Sequence, residues 1–173
     1  MSQRGNAERG FTLIELSAIL LILAVLLAFL IPRLRDLTEY HIKSSSRRMA
    51  STIKYLFDEA AIRHTYYRLN YDLKKDEYWV TYLDEGKEFK EDRSILASKV
   101  KLPASIHFED IVTQQRGKVY EGETFTLFFP HGWVEKTIIH LGDSRGRQYS
   151  LLVMPLTGKV RIYDRYVEFA EKR

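Results

Sequence analysis

The feature that most constrains this chain is an apolar run from Leu16 to Ile31, LSAILLILAVLLAFLI, in which Ser17 is the only polar residue. Counted back to Phe11, the run is long enough to form a helix of about 30 Å, which is the thickness of the hydrocarbon core of a bilayer. A helix in a soluble core would carry polar residues along one face, and this run has none after Ser17. The sequence therefore predicts a single membrane-embedded helix near the N-terminus.

Two other kinds of membrane-directed segment share part of this pattern. A cleaved secretory signal peptide has a basic leader, which Arg4 and Arg9 provide, but it has a shorter apolar run that ends in small residues rather than in IPRLRD. An ordinary single-pass anchor fits the run but does not explain Glu15, because a carboxylate at the centre of an apolar span costs roughly 2.5–3.5 kcal/mol. We interpret Glu15 as functional, although a carboxylate near the membrane surface can also simply reach water.

The string GFTLIE, which follows a short polar leader and precedes the apolar run, resembles the type IV pilin-like (class III) signal. The resemblance implies that a prepilin peptidase cleaves between Gly10 and Phe11, and that Phe11 is then methylated as the new N-terminus. It also implies that Glu15 acts in filament assembly and that Pro32 kinks the helix.

The resemblance divides the chain into a prepilin leader (1–10), a transmembrane and filament-core helix (11–36) and a periplasmic globular domain (37–173). The globular domain is expected to include the second half of the long helix. In that half, apolar side chains recur at helical spacing: Met49, Ile53, Leu56, Phe57, Ala60, Ala61 and His64. Because His64 falls on this apolar stripe, we expect it to be a hydrogen-bonded core histidine and not a metal ligand.

Beyond the helix, the pattern of apolar residues changes to a period of two, which is typical of strands. The charged segment 84–93 is predicted to be a loop. The predicted strands are residues 67–73, 78–82, 106–111, 125–129, 137–141, 149–154 and 160–163. A helix followed by strands with short connections predicts the α+β class, with an antiparallel sheet packed on the long helix.

The second half of the chain also resembles a narrower family. The strings FTLFFPHG and LTGKVRI, with two strands and a glycine-containing turn between them, are similar to H-type minor pseudopilins of type II secretion, the GspH/FimT-like group. This resemblance implies a pilin-like fold, and a role in pseudopilus assembly and in protein export across the outer membrane. The implied partners are other pseudopilins or pilins, the prepilin peptidase and the inner-membrane secretion platform. The implied location is the bacterial inner membrane, with the C-terminal domain in the periplasm.

No pattern in the sequence predicts catalysis. The five histidines are not at metal-ligand spacing, no phosphate-binding glycine loop is present, and there is no cysteine. We therefore predict no enzyme activity, no cofactor and no metal.

Two alternatives to a secretion subunit remain. One is a minor type IV pilin, FimT-like, of a pilus or DNA-uptake machine, whose basic residues would hold phosphates without sequence specificity. The candidate contacts are Arg145, Arg147, Lys159 and Arg161. Because acidic residues are interleaved with them, we favour a solvated surface and do not expect nucleic acid as a partner. The other alternative is a membrane-anchored sensor domain with no role in a filament.

Overall fold

The structure is a computed structural model that describes residues 12–92 and 99–169, with the backbone alone for residues 29–38. Within these residues a helix, α1 (Leu13–Ile62), is followed by eleven strands. The strands are β1 (Tyr67–Asp72), β2 (Glu77–Asp84), β3 (Glu88–Glu91), β4 (Val100–Lys101), β5 (Ile106–Thr113), β6 (Gly117–Val119), β7 (Glu123–Phe129), β8 (Trp133–Val134), β9 (Thr137–Asp143), β10 (Gln148–Val153) and β11 (Val160–Tyr163). The chain divides into two compact units, Met1–Leu37 and Thr38–Arg173.

The strands of the second unit form two antiparallel sheets. Sheet A has the order β3-β2-β1-β7-β8, with β4 also paired to β2, and sheet B has the order β11-β10-β9-β5-β6. The chain passes from sheet A to sheet B at β5 and β6, returns to sheet A at β7 and β8, and enters sheet B again at Thr137. We expected one sheet, but a single open sheet of this many strands twists too strongly to be covered by one helix. Two sheets allow all the strands to share one core.

One buried cluster joins the helix to both sheets. Side chains from one face of α1, from the inner face of sheet A and from sheet B are all fully buried in it. They include Ile42, Met49, Ile53, Leu56 and Ala60 of α1, Tyr67, Leu69 and Tyr71 of β1, and Ile139, Leu141 and Leu151 of sheet B. The helical residues recur at the spacing of one helix face, as the sequence predicted. The predicted α+β fold, with antiparallel strands packed on the helix, is confirmed.

The prediction of a loop over residues 84–93 is wrong in part. Glu88–Glu91 forms β3, which pairs with β2 at the edge of sheet A. Charged side chains suit an edge strand because they stay in water and discourage pairing with other chains. Three further strands were not predicted, namely β4, β6 and β8. They are two or three residues long, which is too short for an alternating pattern to be detectable.

The prediction that His64 is a core histidine is also wrong. His64 is exposed and has a left-handed φ of 50°, just beyond the last helical residue, Ile62. The backbone N–H of Thr65 donates to the carbonyl oxygen of Ala60 at 3.2 Å, so the chain turns out of the helix here. The helical spacing simply extends one step past the point where the helix ends.

Gly158 allows the turn between β10 and β11 to lie directly against the helix. Its φ is +62°, and an added Cβ would lie 2.4 Å from Cγ of Phe57. We expect Gly158→Ala to lower the free energy of unfolding by about 3 kcal/mol, roughly 1 from backbone strain and 2 from overpacking. Denaturant titration followed by the fluorescence of Trp79 and Trp133 measures this.

The control for this prediction is Gly146→Ala, in the turn between β9 and β10. Gly146 has a φ of +77°, but nothing lies within 4 Å of an added Cβ. This variant should therefore cost only the backbone strain, about 1 kcal/mol. Equal losses for the two variants would show that the contact of Gly158 with the helix does not matter.

Candidate functional site

The N-terminal part of α1 has an exposed apolar surface. Its large apolar side chains, from Leu13 to Leu27, are between 47% and 88% exposed. They occupy every face of the helix, so no rotation of the helix could hide them. Each square ångström of apolar surface removed from water is worth roughly 25 cal/mol, so this segment strongly favours transfer to lipid or to other apolar helices.

No helix within the described residues has an eighteen-residue window apolar enough to cross a membrane. Several predictions about this segment fall outside the described residues. They are the leader, its cleavage after Gly10 and the methylation of Phe11. Pro32 lies within the bounds of α1, so it does not end the helix, and the predicted kink stays a prediction.

Glu15 lies in the first turn of α1, where the structure gives it a second possible role. Its backbone N–H donates to Oγ1 of Thr12 at 3.3 Å. A threonine followed three residues later by glutamate is the capping-box spacing, and a negative charge in the first turn is worth about 0.3–1 kcal/mol. The spacing is visible in the sequence, and it adds helix capping to assembly and contact with water as a role of Glu15. An experiment on Glu15 must therefore separate capping from assembly.

The four basic residues considered for phosphate binding differ in their surroundings, because Arg147 forms ion pairs within the chain. Nε of Arg147 donates to Oδ2 of Asp143 at 2.7 Å, and its Nη1 lies 3.1 Å from Oε2 of Glu39. Burial opposes the charge on Asp143, but hydrogen bonds from Arg147 and Arg145 outweigh it and hold the pKa of this carboxyl below its usual value. Two carboxylates therefore already compensate Arg147. Arg145, Lys159 and Arg161 are exposed.

A buried polar network attaches the C-terminal segment to sheet B. Nδ1 of His140 lies 2.6 Å from Oδ1 of Asp110, and its Nε2 lies 2.9 Å from the carbonyl oxygen of Val167. The hydroxyl of Tyr166 donates to Oδ2 of Asp110 at 2.9 Å, and its ring stacks on His140 with the centroids 3.8 Å apart. The two ring nitrogens of His140 therefore have partners on two different segments, namely strand β5 and the C-terminal segment.

The charge on Asp110 is maintained by this network. Burial raises the pKa of the carboxyl, but the hydrogen bond and charge of His140 and the hydrogen bond from Tyr166 outweigh it, so the pKa lies below its usual value. Lys118 adds a positive charge 3.7 Å from Oδ2. Within the described residues, no group of three or more histidine and acidic side chains could hold a metal ion. We interpret the network as structural.

Strand β7 places three of its four apolar side chains on the outer face of sheet A, and the fourth, Phe128, is buried in the core. Phe125, Leu127 and Phe129 are half-buried there, whereas Thr126 on the inner face is fully buried. Oγ1 of Thr126 lies 2.9 Å from the hydroxyl oxygen of Tyr71 and 3.2 Å from Oγ1 of Thr137. These buried hydrogen bonds explain why the threonines point inward. The sequence showed the alternation in TFTLFF but not which half of it faces the core.

Comparison with known proteins finds similarities for the N-terminal segment and for the fold of the chain. Residues 5–31 match the prokaryotic N-terminal methylation motif. The fold is similar to two structures of the minor pseudopilin EpsH from the type II secretion system of Vibrio cholerae, each 11% identical to this chain. The TM-scores are 0.56 and 0.61, and the matches cover 72% and 75% of this chain and 97% and 99% of those chains. This chain has a pseudopilin-like fold. Comparison with curated protein sequences gives no match.

The two comparisons each confirm one prediction made from the sequence. The methylation motif confirms that GFTLIE and the apolar run after it belong to a prepilin-type N-terminus. The similarity to EpsH confirms the resemblance to H-type pseudopilins that FTLFFPHG and LTGKVRI suggested. At 11% identity, the similarity shows the fold of this pseudopilin-like chain and not the system in which it works.

Proposed function

We propose that this chain is a minor pseudopilin subunit of a type II secretion system. In this proposal the chain is stored in the bacterial inner membrane with residues 37–173 in the periplasm. The peptidase removes residues 1–10, Phe11 is methylated, and the chain joins a periplasmic pseudopilus that takes part in protein export across the outer membrane. The methylation motif and the pseudopilin-like fold support this proposal.

The observation that carries the proposal is the exposed apolar surface of α1 from Leu13 to Leu27, which lies within the residues that match the methylation motif and begins beside Glu15. In the membrane, lipid covers this surface. On assembly, like helices of other subunits cover it instead, so the helix exchanges one apolar environment for another. The function is mechanical and needs no catalytic residue, no cofactor and no metal.

A minor type IV pilin of a pilus or DNA-uptake machine would share the leader, the helix and the fold. Its distinguishing feature would be a basic surface that holds phosphates. We favour secretion because Arg147 is already compensated by Asp143 and Glu39. The neighbouring genes discriminate between the two, since a secretion subunit is expected beside genes for a secretion ATPase and a secretin.

Glu15→Leu tests the role of the helix in assembly. After cleavage, the α-amino group of Phe11 is a cation at the start of the helix, and side-by-side docking would bring the amine of a neighbouring subunit to the Glu15 carboxylate. Such a pair is strongly attractive away from water and costly to leave half-made. We expect normal membrane levels and leader cleavage, but at least about tenfold less co-purification with other pilin-like subunits from cross-linked membranes, which corresponds to roughly 1.4 kcal/mol.

Glu15→Gln is the matched control, because a glutamine side chain can also reach back to the N-cap backbone in a capping box but carries no charge. If Glu15 pairs with an amine, the glutamine variant loses partners as severely as the leucine variant. If Glu15 serves only to cap the helix, the glutamine variant behaves like the wild type and the assembly role is wrong. Undiminished recovery of partners with Glu15→Leu would also refute that role.

A further inference from the structure

Two arginines and two phenylalanines form a continuous stack on the outer face of sheet A. Cζ of Arg68 on β1 lies 3.6 Å from the ring centroid of Phe89 on β3 and 4.3 Å from that of Phe125 on β7. Cζ of Arg116, in the turn between β5 and β6, lies 3.8 Å from the ring centroid of Phe125. All four side chains are half-buried. We call these four residues the arginine–phenylalanine stack.

The two guanidinium groups of the stack differ in their partners. Arg116 donates to Oε2 of Glu135, a fully buried carboxylate, and to the carbonyl oxygen of Phe125. Among residues 12–92 and 99–169, Arg68 has neither a carboxylate at ion-pair distance nor a hydrogen-bond acceptor, and its Nε is buried without a partner. Burial and the nearby charge of Arg116 both lower the pKa of Arg68. The stack therefore carries a positive charge that the described chain does not compensate.

The surroundings of the stack are apolar and partly accessible. Leu127 and Phe129 of β7, Trp79 of β2 and Trp133 of β8 are also half-buried. Cross-strand pairing aligns Leu127 with Arg68, and Phe129 with Trp133. Aromatic residues and arginine are the residue types most enriched at the centres of protein–protein interfaces. An apolar surface on the outer side of a sheet is typical of an interaction site.

We propose that the outer face of sheet A docks a protein partner that places an acidic side chain beside Arg68, among apolar residues. A carboxylate accepts two parallel hydrogen bonds from a guanidinium group, and Arg68 has no such acceptor among the described residues. It would also supply the missing negative charge, and the apolar residues around it would contact Leu127 and Trp133. This proposal does not depend on whether the chain enters a pseudopilus.

The geometry favours a protein over a nucleic acid. Single-stranded nucleic acids bind by stacking bases on open aromatic faces. In the stack, guanidinium groups already cover faces of Phe89 and Phe125. The half-buried guanidinium group of Arg68, which has no hydrogen-bond acceptor among the described residues, suits a carboxylate instead.

Photo-crosslinking of the full chain in its native host tests the proposal. The cross-linking amino acid p-benzoyl-phenylalanine replaces Leu127, and mass spectrometry maps the adducts. We expect an adduct with a protein segment that contains an aspartate or glutamate. Arg68→Gln should reduce the yield at least about tenfold, and Arg68→Lys should reduce it less, because lysine keeps the charge but lacks the planar fork. The control places the same cross-linker at Leu156, which is 78% exposed, where Arg68→Gln should change nothing.

Stability provides a second measurement that a merely structural role would move. Since Arg68 has no counter-charge among the described residues, Arg68→Gln should lose only the stacking on Phe89 and Phe125 and should shift the midpoint of denaturant unfolding slightly. A large loss of stability would show that Arg68 serves the fold and would overturn the proposal. The proposal is also overturned by an adduct with nucleic acid, by a yield at position 127 no higher than at position 156, or by a yield that Arg68→Gln does not change.

Discussion

Asp110→Ala is expected to lower the free energy of unfolding of the globular domain by about 4 kcal/mol at pH 7. The Asp110 carboxylate is buried and accepts hydrogen bonds from His140 at 2.6 Å and from Tyr166 at 2.9 Å. Removing one partner of a buried ion pair typically costs about 3–5 kcal/mol, because the remaining polar groups stay buried without a partner. Denaturant titration of the full chain in detergent, followed by the fluorescence of Trp79 and Trp133, measures the change.

Two further substitutions make this prediction specific. Asp110→Asn keeps the shape and the hydrogen bonds, since its amide can donate to Nδ1 of His140 and accept from Tyr166, but it removes the charge. We expect this variant to lose about 1–2 kcal/mol, which is less than the alanine variant loses. Asp164→Asn removes an exposed carboxylate from the same C-terminal segment and should stay within about 0.5 kcal/mol of the wild type. Equal losses for Asp110→Asn and Asp110→Ala would show that the charge, and not the hydrogen bonding, is essential.

The contribution of the Asp110 charge should also depend on pH. The pKa of this carboxyl is lower in the folded chain than its ordinary value of 3.8, because the network around it outweighs the effect of burial. A lowered pKa adds stability that is fully present above the unfolded value and is lost as the pH falls through the folded value. The difference in stability between the wild type and Asp110→Asn should therefore be constant from about pH 7 to pH 5 and shrink below pH 4. A difference that stays constant in acid would contradict this assignment.

The strands that the sequence predicted best are those whose alternation is long and regular. Tyr67, Leu69 and Tyr71 predicted β1, and Tyr78, Val80 and Tyr82 predicted β2. The face that each strand buries was harder to predict. In β7, the alternation of Thr126 with Leu127 would place the leucine in the core, but Thr126 is held inside by hydrogen bonds to β1 and β9. The phase of an alternation depends on partners far away in the sequence, so a local pattern cannot fix it.

The two kinds of candidate site differ in the same way. The leader motif is a run of adjacent residues, so GFTLIE was sufficient to predict it. The arginine–phenylalanine stack joins residues from β1, β3, β7 and the turn between β5 and β6, and no spacing in the sequence unites them. The pairing of Asp110 with His140 likewise spans two strands of sheet B. Only the order of the strands in the sheets brings these side chains together.

Gly10→Val is expected to leave the leader attached to essentially every chain. The proposed cleavage falls between Gly10 and Phe11, and the residue before the cleaved bond should fit a peptidase pocket that tolerates little side-chain bulk. The measurement is the intact mass of the protein purified from membranes of its native host. We expect the wild type to begin at Phe11 and to carry one additional methyl group, and the valine variant to keep residues 1–10 and to lack that group.

The leader itself supplies the matched control for Gly10→Val. Gly5 lies in the same leader, five positions before Gly10, and is not next to the proposed bond. Gly5→Val adds the same side chain to the leader, so it should be cleaved normally if only the residue before the bond enters the pocket. A wild-type N-terminus at any residue other than Phe11, or an unprocessed wild-type chain, would refute the assignment of the prepilin signal. Failure of both variants would mean that the peptidase reads the whole leader, and that the position of Gly10 is not what determines cleavage.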